Sequence, residues 1–326
     1  MRTLIQPAFA PAALLAAALS VTPALALNNK SYVSGSGGDL NDCATVATAC
    51  ATLGTALFNT TPGGEITVVD TGNYGVVVIS QSVHITNDGG GEASLLGLRP
   101  VIIDAGPGDV VSLRGWVIDG IGLGAFGVFA GQASAVHIQN CVIRNFTGTA
   151  VGPQFGILYE PPTAGQLFVS NTIILNNGST AGTGGIVVRL LQASGSANVV
   201  LDRVHLENNA VGLLVDGSRV AGNGAHVVIR DSVVSGNALD GIRAFSLSGE
   251  APAFLVVERT AAVSNGGTGI VADGPRATML LSGNVVSRNG AGIGAVNSGQ
   301  LISYGNNKVN NNLGPDGTPT GSYSPI

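Results

Sequence analysis

A short apolar phrase recurs along most of this sequence and limits what the chain can fold into. Its copies begin 22 to 32 residues apart and read VSLRGWVIDGI (111–121), VHIQNCVIRNF (136–146), LFVSNTIILNN (167–177), VVLDRVHLENN (199–209), VVIRDSVVSGN (227–237), LVVERTAAVSN (255–265), MLLSGNVVSRN (279–289) and LISYGNNKVNN (301–311). Repetition at such a period is the signature of stacked structural units, each of which completes the core of its neighbours.

Each unit contains three short β-rich runs separated by turns. In the copy that begins at 199 the runs are Val199–Leu201, Val204–Leu206 and Leu213–Val215. Within each run, inward and outward residues alternate with the period of a β-strand. The runs are also too short and too interrupted by glycine to be helices. The pattern predicts a single-stranded parallel β-helix with three strands per turn. About ten turns at the strand spacing give a rod of roughly 45 Å.

Two other repeat-compatible folds fit the pattern less well. A leucine-rich repeat needs a regular leucine frame and a helix or 3-10 segment in each unit. A β-sandwich does not repeat one phrase along its strands. A Gly-apolar pair follows six copies, and its glycines are predicted to form a tight bend where a Cβ atom would clash. These glycines are Gly156, Gly185, Gly212, Gly241, Gly269 and Gly292.

One corner of the repeat carries an asparagine in successive turns. An inward asparagine at such a corner can bond to its neighbouring backbone and to the asparagine above it. In the first two copies Ile121 and Phe146 take its place. The predicted ladder consists of Asn177, Asn209, Asn237, Asn265, Asn289 and Asn311.

When the copies are aligned, the residues at one position of the repeat form a column along the stack. Two neighbouring columns alternate in charge. They hold Asp202-Arg203, Arg230-Asp231 and Glu258-Arg259 in three successive turns. Opposite charges one strand apart stabilise a sheet and fix its register, whereas an acid/base site needs a group without such a partner. We interpret these columns, and Asp119 stacked over Arg144, as structural.

A third column is apolar and is predicted to point outward. A bare apolar stripe of this length is unusual for a monomer, so loops, another subunit or a ligand should cover it. A homo-oligomer formed through this stripe, such as a trimer, is one of these three alternatives. The column consists of Ser112, His137, Phe168, Val200, Val228, Val256, Leu280 and Ile302.

Residues 1–26 have the features of a secretory signal peptide. Arg2 supplies a positive start, Leu14 to Val21 an apolar centre, and Ala24-Leu25-Ala26 a small-x-small cleavage site. We therefore expect a secreted or periplasmic protein without a transmembrane helix once this segment is removed. Prolines within it leave too short an apolar run for a membrane anchor.

The remaining chain divides into a cap, a β-helix and a tail. We predict an N-terminal cap at 27–64, the β-helix at 65–312 and a C-terminal tail at 313–326. Within the cap, residues 49–59 read as a short capping helix with Leu53, Leu57 and Phe58 on one side. The tail is predicted to cover the last turn.

The three cysteines have different predicted roles. Cys43 and Cys50 lie seven residues apart in a polar segment and are expected to form a disulfide in an oxidising compartment. Cys141 lies within a hydrophobic strand and is read as a small buried residue. Trp116 falls on an inward column and is read as part of the core.

Composition limits the partners. The formal net charge is -5 and only 10% of the residues are charged. A nucleic-acid partner needs a basic surface that displaces counterions, so that class is excluded.

Residues 50–85, CATLGTALFNTTPGGEITVVDTGNYGVVVISQSVHI, together with the repeats, resemble secreted bacterial right-handed parallel β-helix proteins of the pectin-lyase-like superfamily. The resemblance covers roughly 30–312 and implies a right-handed helix. Characterised members mostly cleave or epimerise acidic polysaccharides, whereas others are tailspikes or adhesins. The hydrolase motifs Asn-Thr-Asp, Asp-Asp, Gly-His-Gly and Arg-Ile-Lys do not occur in this sequence.

The sequence predicts function only at the level of a broad class. The best candidates for a catalytic site are Asp216, Asp240 and Arg243, with Arg219 and Asp273 nearby. We expect a non-catalytic cell-envelope or extracellular surface protein that binds carbohydrate, such as a polysaccharide, or a protein partner, without a cofactor. A polysaccharide lyase or glycoside hydrolase acting on acidic polysaccharides is the first alternative, and a lyase would need Ca²⁺ held by several carboxylates. A homotrimeric adhesin-like assembly is the second.

Overall fold

The computed structural model describes residues 27–148 and 152–324, so the predicted signal peptide lies outside the described residues. The chain coils through three parallel sheets, which we call A, B and C, and each turn adds one strand to each sheet. Nine turns are complete, and the described part of a tenth has strands in sheets A and B. The predicted all-β parallel β-helix is confirmed, with about nine turns rather than ten.

The strands of each sheet follow one another in chain order along the rod. Sheet A has twelve strands, Asn28–Val33, Thr60–Val68, Val83–Thr86, Val110–Arg114, Ala135–Gln139, Ala164–Ser170, Ser196–Asp202, Gly224–Arg230, Ala253–Glu258, Ala277–Ser282, Gln300–Ser303 and Gly321–Ser322. Sheet B has ten, Gly72–Asn73, Ala93–Leu96, Trp116–Asp119, Val142–Arg144, Ile173–Leu175, His205–Glu207, Val233–Ser235, Ala261–Val263, Val285–Ser287 and Lys308–Asn310. Sheet C has nine, Val77–Ile79, Val101–Ile103, Phe126–Ala130, Phe155–Tyr159, Gly184–Arg189, Val211–Asp216, Ile242–Phe245, Thr268–Asp273 and Ala291–Val296.

Alternate residues of every strand fill the interior of the rod. Val199 and Leu201 are buried, whereas Val200 between them is half-buried on the outside. Trp116 is 1% exposed, its indole N–H donates to the carbonyl of Ile85 over 3.3 Å, and its ring meets Tyr74 edge-on. The interpretation of Trp116 as core is confirmed, because both its apolar body and its single donor are satisfied inside the rod.

The asparagine corner forms a continuous hydrogen-bonded ladder. The side-chain oxygen of each rung accepts the backbone N–H of the residue one turn earlier, as Asn237 Oδ1 does from Asn209 at 2.9 Å. The first rung, Asn177, accepts in the same way from Phe146. Without this side-chain oxygen, one buried backbone N–H in every turn would lack a hydrogen-bond acceptor.

Asn311 is not a rung, which corrects the predicted ladder. Asn289 donates instead to Asn312, over 3.0 Å. The last copy has one extra residue before its second strand, since Leu301 pairs with Met279 but Lys308 pairs with Val285. Asn311 therefore occupies the preceding position, with a φ of 58°.

The charged columns pair between turns at two of the four predicted stacked contacts, whereas Arg203 pairs with Asp202 and Glu258 with Arg259 within their own turns. Arg230 Nε lies 3.0 Å from Asp202 Oδ1, and Arg259 Nε lies 2.7 Å from Asp231 Oδ1. Hydrogen bonding from the Arg259 guanidinium holds the pKa of Asp231 below its usual range. Arg144 likewise bonds to Asp119, over 2.7 Å. These charges tie adjacent turns together.

The N-terminal cap contains a 3-10 turn at Val46–Thr48 and one helix, Leu53–Phe58, which is shorter than predicted. The Thr52 side chain caps the helix by accepting the N–H of Thr55. Leu53, Ala56 and Leu57 are buried, but Phe58 is 79% exposed. The prediction that Phe58 shares the buried side is wrong, because Phe58 lies one helical turn after the exposed Gly54 and so on the exposed face.

The predicted Cys43–Cys50 disulfide is present. Both residues are fully buried within the cap. Cys141 is a buried free thiol, as predicted, and burial raises its pKa to about 11.

Removing this disulfide should weaken the cap. The bridge closes a loop of seven residues' separation, so the Cys43→Ser/Cys50→Ser variant should lose about 2–3 kcal/mol of unfolding free energy. Urea denaturation with and without reductant measures the loss, and reductant should not affect the variant further. Equal midpoints for the oxidised wild type and the variant would show that the bridge does not stabilise the fold.

The C-terminal segment covers the end of the rod. Pro315 and Asp316 accept backbone hydrogen bonds from Gly292 and Ile293 of the last strand in sheet C, each at 2.9 Å. Gly321–Ser322 then adds a short strand to sheet A. In the described ranges there is no helix of sufficient length and hydropathy to cross a membrane.

Candidate functional site

The outer face of sheet C brings the predicted site residues close together. Val211–Asp216 and Ile242–Phe245 are neighbouring strands in which Leu214 pairs with Arg243 and Asp216 pairs with Phe245. The alternation that sends the intervening residues into the core turns these four side chains outward. They form a small square of two charged and two apolar groups.

Arg243 is held between two carboxylates. Its Nη1 lies 3.2 Å from Asp240 Oδ2, and its Nη2 bonds to Asp273 Oδ2 of the following turn. The guanidinium carbon also lies 5.4 Å from the centre of the Phe245 ring. Charge-assisted hydrogen bonds on two sides and a ring on the third fix the direction of this guanidinium.

Asp216 belongs to the same surface but to a different ion pair. Its Oδ2 accepts from Arg219 Nε over 3.0 Å, and its Oδ1 accepts from the backbone and hydroxyl of Ser218. The structure therefore joins two of the three predicted residues directly, Asp240 and Arg243. It places Asp216 beside Phe245, with its own arginine.

These side chains line a cleft of about 330 Å³, which we call the arginine cleft. Its lining consists of Ala181, Gly182, Leu214, Asp216, Ser218, Arg219, Arg243 and Phe245. Leu214, 5% exposed, belongs to an apolar cluster on the outside of sheet C, together with Phe155, Leu158, Val187 and Val211. The cleft thus combines an apolar base with polar walls.

Sequence reasoning missed Phe245 and assigned no role to Asp273. The alternation of Ile242–Phe245 placed Phe245 outward next to Arg243, so the strand pattern contained a usable signal. The link from Arg243 to Asp273 depends on which residue of the next turn is in register, and the variable turn lengths hide that.

The carboxylates and guanidinium groups at this site are engaged in ion pairs with one another. Glycoside hydrolysis uses one carboxyl group as acid and a second as base or nucleophile across the scissile bond. Here all three carboxylates receive arginine hydrogen bonds. Calcium takes six to eight oxygen ligands, and oxygens shared with two guanidinium groups do not fit it. Over the described residues, no group of three His, Cys, Asp or Glu side chains is arranged to hold a metal ion.

The predicted apolar column lies on the outer face of sheet A. The register stacks its members directly, for example Phe168 on Val200 and Val200 on Val228. Each is half-buried, and the His137 ring stacks on Phe168 at 4.8 Å. Burial lowers the pKa of His137. This column lies on a different sheet from the arginine cleft.

One family model matches the C-terminal part of the solenoid. Residues 190–313 match the family model for the right handed beta helix region. No curated protein matches the chain.

Two solved structures are similar to the chain. Pectate lyase Pel9A aligns with 14% identity and a TM-score of 0.42 over 87% of this chain and 79% of that chain. The GH136 lacto-N-biosidase from Eubacterium ramulus aligns with 13% identity and a TM-score of 0.44 over 90% of this chain and 67% of that chain.

Proposed function

We propose that this right-handed β-helix protein is a secreted or periplasmic carbohydrate-binding protein whose arginine cleft holds a sugar without cleaving it. The observation that carries the proposal is the placement of Arg243 between Asp240 and Asp273, next to the ring of Phe245. The disulfide and the predicted signal peptide are in keeping with that compartment.

Sugar recognition needs an apolar surface and fixed hydrogen-bonding groups. A pyranose ring has a C–H face that packs on an aromatic ring, and its hydroxyls both donate and accept. Phe245 supplies the ring, while Arg219 and Arg243 supply donors. The carboxylates of Asp216 and Asp240 supply acceptors beside them.

The ion pairs make the cleft rigid before a ligand arrives. The Arg243 side chain is only 27% exposed and is bonded on both sides. A group already ordered loses little entropy when the ligand binds, which favours affinity. The same ion pairs occupy the carboxylates that a hydrolase would need for proton transfer, so we place the protein among binders rather than enzymes.

Truncating the cleft should weaken binding. We expect Arg243→Ala and Phe245→Ala each to raise the Kd for a neutral oligosaccharide about tenfold or more, which corresponds to at least about 1.4 kcal/mol. Isothermal titration with disaccharides and hexasaccharides of glucose, xylose and galactose measures this.

Matched controls lie on sheet A. Arg230 is also an ion-paired arginine that points outward from a strand, and Phe254 is a half-buried outward phenylalanine. Arg230→Ala and Phe254→Ala should bind as the wild type does. Unchanged affinity in Arg243→Ala and Phe245→Ala, or release of shorter sugars by the wild type, would contradict the proposal.

A further inference from the structure

We propose that the outer face of sheet A is the interface of a homodimer, in which two copies of the chain pack face to face with their rods antiparallel. The arginine cleft lies on sheet C, so this interface is separate from the proposed sugar site. The face carries the apolar column, whose eight members stack in register from Ser112 to Ile302. Each member is half-buried, so no described loop encloses the column. An apolar stripe of this length left open to solvent indicates an interaction surface.

The charged column beside the stripe is complementary to itself when the rods are antiparallel. Asp202, Arg230 and Glu258 stack in three successive turns, two residues after the apolar column. A two-fold axis that runs along the strands, midway between the turns of Val200 and Val228, passes through the centre of the apolar column. This axis places Asp202 of each copy opposite Arg230 of the other, so two pairs of opposite charges meet across the interface.

The neighbouring charged column gives the same result at the rim of the face. Arg203 and Asp231 occupy equivalent positions in successive turns, and their side chains are 57% and 38% exposed. The same axis places Arg203 of each copy opposite Asp231 of the other. Two independent columns therefore become complementary through one symmetry operation.

A parallel arrangement of the rods lacks this complementarity. A two-fold axis along the rod would reverse each strand across the interface without changing its turn. Arg230 would then lie opposite His226 of the second copy, and Glu258 opposite Phe254, because these residues lie equally far on the other side of the apolar column. Neither charge would meet an opposite charge, so the charges favour the antiparallel orientation.

The apolar column also packs more evenly in the antiparallel orientation. The axis places Phe168 opposite Val256 and Ser112 opposite Ile302, so large side chains face smaller ones. With parallel rods each residue would face its own copy, with two phenylalanines in contact at one turn and two serines at another. Stable interfaces need close shape complementarity, which the antiparallel pairing supplies.

The area of the face is sufficient for a stable dimer. Eight strands extend about 38 Å along the rod, and three outward residues in each strand extend roughly 20 Å across it. The product is about 750 Å² from each copy, close to the roughly 800 Å² per partner of a standard interface.

Sedimentation velocity of the purified protein at micromolar concentrations tests the dimer. We expect the wild type to sediment with twice the mass of one chain. Val228→Lys should raise the dimer Kd about tenfold or more, because it places an unpaired charge at the centre of the apolar contact. Val285→Lys is the matched control, since Val285 is an outward valine of sheet B, 41% exposed, and this variant should dimerise as the wild type does. Thermal melting checks that both variants fold.

Cysteine cross-linking tests the orientation. Phe168→Cys and Val256→Cys place thiols at positions that face each other only across the antiparallel interface. A short bismaleimide should join the two variants when they are mixed and should join neither variant to itself. The native cysteines do not compete, because Cys141 is buried and the other two form the disulfide.

Each experiment has an outcome that overturns the proposal. A wild type that stays monomeric or forms a trimer, or a folded Val228→Lys that dimerises normally, would show that sheet A is not the interface of a dimer. Self-linking of Phe168→Cys or of Val256→Cys would show that the rods are parallel. If Val228→Lys does not fold, the mixed cysteine variants decide, and absence of their cross-link would exclude the antiparallel dimer.

Discussion

Replacing Asn237 with leucine should lower the free energy of unfolding by about 2–4 kcal/mol. Asn237 is 1% exposed, and its amide nitrogen donates to the Leu206 carbonyl at 3.1 Å and to Asn265 Oδ1 at 2.8 Å. Its oxygen accepts the backbone N–H of Asn209. Leucine matches its volume but leaves that buried N–H without an acceptor, and an unsatisfied buried group costs about 1–3 kcal/mol.

Urea denaturation of Asn237→Leu measures this effect. Asn198→Leu is the control, because Asn198 is exposed on the outer face of sheet A and should tolerate the change within about 0.5 kcal/mol. Equal stability of the two variants would show that the ladder does not hold the corner together.

Replacing Gly212 with alanine should be at least as damaging, with a loss of about 3 kcal/mol or more. A Cβ atom on Gly212 would lie 2.5 Å from the Gly241 carbonyl oxygen, 2.6 Å from Val234 Cγ1 and 3.0 Å from Asn237 Nδ2. The first contact is with backbone, so relief requires the backbone of the next turn to move. Overpacking a rigid interior costs about 1–3 kcal/mol, and this contact adds disruption of the ladder.

Thermal unfolding and soluble yield of Gly212→Ala test that prediction. Gly108→Ala is the control, since a Cβ atom there meets nothing within 4 Å. We expect Gly108→Ala to melt at or slightly above the wild-type temperature. A Gly212→Ala variant that melts with the wild type would mean that the turns are farther apart at this corner than the structure has them.

The architecture could be predicted because a solenoid converts sequence spacing into spatial neighbours. Once three strands per turn are recognised, each copy of the phrase aligns with the next, and columns such as Asp202 and Arg230 follow. The disulfide could be predicted from the short spacing of Cys43 and Cys50, and the burial of Trp116 from its inward position in the repeat.

The errors arose where a single residue changes register or ends an element. The doubled asparagines of the last copy hide one inserted residue, so aligning the copies predicts Asn311 as the rung that Asn312 forms. Phe58 fitted a helical face, but the helix ends there and its ring is exposed. Asn28–Val33 has no repeat signal, and its strand in sheet A was not predicted.

The candidate site was predictable in part. Charge and a position near the third strand of each unit pointed to Asp216, Asp240 and Arg243, but sequence could not distinguish one site from two neighbouring ion pairs. The apolar cluster outside sheet C was hidden for another reason. Outward residues such as Phe155 and Leu158 are buried through tertiary packing, which strand alternation does not encode.

The most direct test of the account is a single incubation with two readouts. A neutral hexasaccharide is titrated into the purified wild type and into Arg243→Ala. The molecular mass of the recovered sugar is then measured by mass spectrometry. We predict saturable binding by the wild type, an affinity at least about tenfold weaker in Arg243→Ala, and a sugar of unchanged mass. Shortened or unsaturated products from the wild type would contradict the account and identify an enzyme, and equal affinity in both proteins would show that the sugar binds elsewhere.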